Sequence, residues 1–177
     1  ALLSREINDI HGKTLGVIGK GSIGMKVGRI AKAFGMNINY FSVRNYKKTQ
    51  FLKFLSSLDY LSIHFPLNEK TKDLITIKEL KIMKKNMILI NTARGGIVNE
   101  NDLTKALKQK IIAGAGIDVT TSEPPKKSHA YYSILNEANF IWTPHTAWAS
   151  NETLQEAINQ LIKNINSFYK GRKRNIV

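Results

Sequence analysis

The sequence predicts an α/β protein: one doubly wound parallel sheet, with helices on both faces, forming a single domain. Three observations carry that expectation. Short apolar runs alternate with stretches whose apolar residues recur at helical spacing. A glycine-rich turn, Gly19-x-Gly21-x-x-Gly24, joins the first run to the first such stretch. A chain of 177 residues, 42% hydrophobic, suffices for one domain with a sizeable core, and no internal repeat or low-complexity linker divides it.

Taken in order, Thr14–Ile18 is a short apolar run suited to a buried parallel strand. After the glycines, Ile23, Val27, Ile30, Ala31 and Phe34 trace a helical face, and Gly35 is a helix-stop signal. Residues 36–41 alternate towards a second strand. Strand, glycine turn, helix, strand is the Rossmann setting. There the glycines provide a tight turn, room for backbone near a pyrophosphate, and close helix–strand packing. The helix N-terminus, at Ser22 and Ile23, offers N–H groups and a positive dipole end to phosphates.

The alternation continues. Residues 60–65 read as a strand ended by Pro66, a helical stretch lies near 76–84, and 87–90 look like a fully buried strand. Asn99 or Asn101 can cap a helix running to about Gln109. Residues 111–119 and Phe140–Trp142 supply further strands. A closing helix sets Leu154, Ile158, Leu161, Ile162, Ile165, Phe168 and Tyr169 on one face and stops near Gly171.

Composition narrows the function classes. Cysteine is absent, which excludes disulfides and thiolate metal sites and suits a reducing, cytoplasmic setting; no metal site is expected. No apolar run approaches a membrane span. The balance of 27 Lys+Arg against 13 Asp+Glu, formally +14, raises nucleic-acid binding as a rival. The lysines, however, are scattered on the polar sides of apolar periodicities. Only the tail from Lys170 to Arg174 is dense, and it has no interleaved aromatic. A Lys-rich solvated surface is the better reading.

Ligands of open α/β sheets gather where strands end. The loops there are His64-Phe65-Pro66-Leu67-Asn68, Asn91-Thr92-Ala93-Arg94-Gly95-Gly96, Asp118-Val119 with Glu123-Pro124-Pro125, and Thr143-Pro144-His145. An Arg, a Glu and a His at the ends of successive strands can meet on one edge. Singly, each has a plain structural explanation; together, beside a dinucleotide turn, they point to chemistry.

Five segments in order, GKGSIG, HFPLNEKTKDLI, NTARGGIVNE, AGIDVTTSEPP and TPHTAWAS, spread over about residues 12–150. With them the chain resembles the cofactor domain of the D-isomer-specific 2-hydroxyacid dehydrogenases. Its HTAWAS ending looks most like the glycerate dehydrogenase or hydroxypyruvate reductase branch. The resemblance implies Arg94, Glu123 and His145 as a catalytic triad and Asp118 as the acid beside the nicotinamide. It implies cofactor contacts from Gly19, Gly21, Ser22, Ile23, Gly24, Ser42, Arg44, His64, Pro66, Thr71, Thr92, Ala93, Arg94, Asp118 and His145. It further implies a small 2-hydroxy or 2-keto acid substrate and a homodimer, with no nucleic-acid or membrane partner. Residues 1–12 would be a crossover from a substrate domain absent here, 13–149 the dinucleotide-binding domain, and 150–177 a C-terminal helix with a basic tail. The competing reading is a dinucleotide-sensing regulatory protein of the same fold, for which a triad has no use.

Cofactor choice rests on an absence. From Ile10 to Leu58 there is no Asp or Glu. An NAD-specific site places a carboxylate on the ribose 2′-OH about 20 residues past the glycines. Here that position is Ser42, with Arg44 two residues on and Lys47 and Lys48 beyond. NADP is therefore expected over NAD.

Overall fold

In the computed structural model, which describes residues 8–45 and 47–176, six strands form one sheet. They are β1 (Thr14–Ile18), β2 (Asn37–Phe41), β3 (Tyr60–Ile63), β4 (Ile88–Asn91), β5 (Gly114–Ile117) and β6 (Phe140–Trp142). Their order is β2-β1-β3-β4-β5-β6, and every pairing is parallel. Thr14 lies opposite Asn37, so the first two strands run the same way, as a helical crossover demands. The helices are α1 (Ser22–Ala33), α2 (Lys48–Ser56), α3 (Ile77–Leu80), α4 (Glu100–Lys108) and α5 (Asn151–Tyr169). Of the expected crossover segment, residues 1–7 lie outside the described residues.

Alternation along β1 divides the core. Leu15 and Val17 pack with Ala31 and Met36 under α1, while Ile18 joins a larger cluster with Phe51, Leu55, Leu58, Leu61, Leu89 and Leu103. The buried face of α1 is its small-residue stripe. Gly24, Gly28 and Ala31 are buried, whereas Ile23, Ile30 and Phe34 are 65%, 60% and 61% exposed. Small residues let the helix approach the sheet closely, and that turns the bulky ones outward.

Two helices depart from the sequence reading. No element was expected over α2, yet Phe51, Phe54, Leu55 and Leu58 recur at helical spacing and are drawn into the core. The stretch near 76–84 shortens to α3. It starts in a capping box, where Thr76 Oγ1 accepts from Lys78 N–H and Glu79 accepts from Thr76 N–H. Beyond Leu80 the bonds tighten to three-residue spacing, Ile82 to Glu79 and Met83 to Leu80, and the chain turns Met83 and Met87 inward. Asn99 caps α4 through Asp102 N–H, as the first of its two candidates.

At the N-terminal ends of the strands, Asp59 accepts from Thr14 N–H at 2.9 Å and pairs with Lys84 at 2.9 Å. Burial pushes its carboxyl up, but Lys84, Thr14 and Asn86 outweigh that and hold it below its ordinary range.

The described residues fall into two units, one ending at Pro144 and one beginning at His145. The second consists of a turn in which Trp148 Nε1 donates to the His145 carbonyl at 3.0 Å, followed by α5, whose Ser150 cap accepts from Thr153 N–H. None of α5's residues is buried, so its apolar face is exposed.

Candidate functional site

The register places the strand ends on one line. Phe41, Ile18, Ile63, Asn91, Ile117 and Trp142 are successive partners across the whole sheet. The residues that follow them, Ser42, Gly19, His64, Thr92, Asp118 and Thr143, therefore leave the sheet along one edge. Backbone bonds carry the ladder into those loops: Gly19 N–H to Phe41, His64 to Ile18, Asp118 to Asn91 and Thr143 to Ile117, all at 2.8–3.1 Å.

The winding reverses between β1 and β3, since β2 lies on one side of β1 and all later strands on the other. A crevice at such a switch point is where open α/β sheets bind ligands. A pocket of about 480 Å³ opens there, lined by Gly19, Lys20, Gly21, Ser42, Val43, Arg44, His64, Phe65, Pro66, Asn68 and Thr71. The glycine turn shapes its floor. Gly19 has φ +101°, and a Cβ there would strike the His64 carbonyl; a Cβ on Gly24 would strike the Gly19 carbonyl. Space above Gly21 is open, and Gly21 caps α1 without a side chain. The N-terminus of α1, with Ser22 and Ile23 in its first turn and no acidic residue there, thus faces free volume. This geometry fits a dinucleotide pyrophosphate.

Around the pocket, Ser42 Oγ accepts from Arg44 N–H at 3.4 Å in a short 3₁₀ turn, Val43–Asn45. His64 Nε2 meets Ser62 Oγ at 2.7 Å, and burial lowers the imidazole pKa, keeping the ring neutral at pH 7. Thr71 is buried; its hydroxyl accepts from Asn68 N–H at 2.7 Å and reaches the Pro66 carbonyl at 3.0 Å. Thr71 therefore pins the 64–71 loop from beneath.

Farther along the edge stands the Arg94 loop. Asn91, 2% exposed, clips it: Oδ1 accepts from Ala93 N–H and Nδ2 donates to the Arg94 carbonyl, both at 3.0 Å. Thr92 and Arg94 are exposed, and the Arg94 guanidinium donates to the Ala93 carbonyl at 2.7 Å. Gly95 lies against the backbone of Thr120 and Thr121, where a Cβ would collide. That contact draws the Arg94 and Glu123 loops together. Glu123 Oε1 accepts from Thr120 N–H at 3.0 Å, and buried Asp118 accepts a short bond from the Thr143 hydroxyl.

Three supporting residues escape the sequence reading. Besides Asn91, Glu100 at the start of α4 accepts from Thr121 N–H at 2.7 Å and from its hydroxyl at 2.8 Å. The same carboxylate meets His129 Nε2 at 2.8 Å, while Tyr131 N–H donates to Nδ1, so the His129 proton sits on Nε2. Asn91 ends β4, an apolar run, and could have been singled out as its one polar residue. Glu100 and His129 are 29 residues apart and carry no local signal. His145 opens the second unit with φ +54°.

The model of the D-isomer specific 2-hydroxyacid dehydrogenase NAD-binding domain matches residues 3–147. The chain belongs to this family. A glycerate dehydrogenase of Methylorubrum extorquens is 43% identical to this chain over 175 residues, covering 97% of the chain and 54% of the relative. The NAD-complexed D-isomer specific 2-hydroxyacid dehydrogenase of Lactobacillus delbrueckii ssp. bulgaricus superposes with TM-score 0.85 at 31% identity, over 95% of this chain and 56% of that one. The acyclic imino acid reductase Bsp5, in complex with NADPH and D-Arg, does so with TM-score 0.82 at 32% identity, over 99% and 59%. The chain thus spans about half the length of the relatives it matches. Among the described residues no helix is long and apolar enough to cross a membrane, and no group of His, Asp and Glu could hold a metal ion.

Proposed function

We propose that this domain is the cofactor half of an NAD(P)-dependent enzyme interconverting a 2-hydroxy acid and its 2-keto acid, of the glycerate, hydroxypyruvate or glyoxylate class. The single row of strand-end loops supports it most: one edge carries the glycine turn, the Arg94 loop, Asp118 and the Glu123 loop. When bound, the nicotinamide supplies the hydride. Arg94 holds the substrate carboxylate with two N–H bonds and polarises the keto oxygen. His145 gives a proton to the reduced oxygen and takes it back in oxidation. Glu123 completes the catalytic triad that the family resemblance implies.

In this reading the pyrophosphate lies over Gly21 against Ser22 and Ile23. The Pro66, Thr92 and Ala93 stretches would add further cofactor contacts, with Asp118 as the acid on the nicotinamide side. NADP is favoured over NAD because Ser42 and Arg44 line the pocket and none of its lining residues is acidic. We further place the protein in the cytoplasm as a homodimer, which would cover apolar side chains such as Ile30 and Phe34.

The test uses the enzyme with its substrate domain. Arg94→Ala should lose about 100-fold or more in turnover of hydroxypyruvate or glyoxylate while NADPH affinity stays nearly intact. Full turnover in that variant removes Arg94 from the chemistry. Equal affinity of wild type for NADH and NADPH defeats the cofactor preference.

A further inference from the structure

Lys20 occupies the variable position between the first two glycines, and its side chain does not simply trail into solvent. Its ammonium lies over the Tyr40 ring, 5.5 Å from the centroid, within reach of a cation–π attraction. Tyr40 belongs to β2, and Ser42 lies just past the end of that strand. The ring is held in turn by α1, since the Tyr40 hydroxyl lies where a Cβ on Gly28 would stand. Lys20, Ser42 and Arg44 all line the same pocket.

We propose that Lys20 is a second reader of the ribose 2′-phosphate of NADP, held ready by the face of Tyr40. The inference rests on the dinucleotide reading above and deepens it. A pyrophosphate at the N-terminus of α1 has backbone N–H groups for partners. The ammonium is drawn instead towards β2, where the ribose 2′ position falls in a glycine-turn site. A phosphate dianion there would meet a hydroxyl at Ser42, a planar guanidinium at Arg44 and a point charge at Lys20, from two different loops. Residues 10–58 hold no carboxylate to neutralise either cation. Tyr40 acts as a positioning residue: it limits the conformations of a four-carbon side chain that would otherwise be ordered at the moment of binding.

The experiment titrates NADPH, NADH, 2′,5′-ADP and ADP into this chain, in wild type, Lys20→Gln, Lys20→Arg, Tyr40→Leu and Tyr40→Phe. Loss of one charge-assisted contact should lower the ratio of NADPH to NADH affinity about tenfold in Lys20→Gln, with the same fall for 2′,5′-ADP against ADP. Lys20→Arg should keep most of the ratio. Tyr40→Leu should lower it by roughly three-fold, and Tyr40→Phe, which retains the ring, should restore it. If Lys20→Gln weakens all four ligands equally, Lys20 serves the pyrophosphate and the proposal falls. An unchanged ratio also overturns it. A wild type that binds both dinucleotides equally well refutes 2′-phosphate reading as a whole. A wild type that binds none of the four refutes the dinucleotide reading itself, and the Lys20 role with it.

Discussion

Asn91→Leu tests whether one buried amide holds the Arg94 loop. Leucine keeps the branched shape of asparagine with bulkier terminal groups, so no cavity is left and the lost hydrogen bonds dominate. Two bonds of 3.0 Å disappear, to Ala93 N–H and to the Arg94 carbonyl. Each is worth about 1 kcal/mol net, and a donor left buried adds about 1–3 kcal/mol more. Ala93 is half-buried and bears that penalty; Arg94 is exposed, so its carbonyl can return to water. The sum is a loss of about 3–5 kcal/mol. Urea unfolding followed by the fluorescence of Trp142 and Trp148 measures the stability, and hydrogen exchange at the Ala93 amide reports the loop. If Arg94 acts as proposed, KM for the keto acid should rise and kcat should fall together in the enzyme with its substrate domain. An Asn91→Leu protein within about 0.5 kcal/mol of wild type, its Ala93 amide still protected, refutes the reasoning.

Gly24→Ala should cost about 1–3 kcal/mol and loosen dinucleotide binding in the same titration, because the Cβ drives α1 from the Gly19 carbonyl; Gly21→Ala, into open space, should spare stability. His64 titrates below its ordinary value near 6.5, so the unfolded chain binds the extra proton first. Stability should therefore be fully present above about pH 6.5 and fall as pH drops through the folded pKa, and His64→Gln should flatten that limb of a pH series of unfolding curves. An unchanged limb in His64→Gln assigns the slope to another group.

Much of the candidate site was legible because its signals are local. The glycine turn is written in consecutive residues, since Gly19 and Gly24 answer steric demands made within one turn. Arg94, Asp118 and Glu123 announce themselves by standing just past apolar runs. The supporting bonds are another matter. Glu100, Thr121 and His129 meet from three separate segments, and only the packing of α4 against the loop after β5 brings them within 2.8 Å. The buried face of α1 was not legible for a related reason: period 3.6 identifies a helix, but both its small-residue stripe and its bulky stripe satisfy that period. Burial of Gly28 rather than Ile30 was decided by how near the sheet lies. The helix at Phe51–Leu55 did carry the spacing and was overlooked among its lysines.

By itself, the sequence determined the α/β class, the parallel sheet, the glycine turn and the absence of any acid between Ile10 and Leu58. Each follows from chain-local periodicity or from the residue types a turn tolerates. Tertiary structure alone decided the strand order, and with it the reversal between β1 and β3 that opens the crevice. It also decided that Lys20 leans on Tyr40, that Thr71 and Asn91 are struts beneath their loops, and that Gly95 presses the Arg94 loop against Thr120. Those are contacts between segments distant along the chain. Their geometry depends on which strands become neighbours, and no short stretch of sequence encodes that.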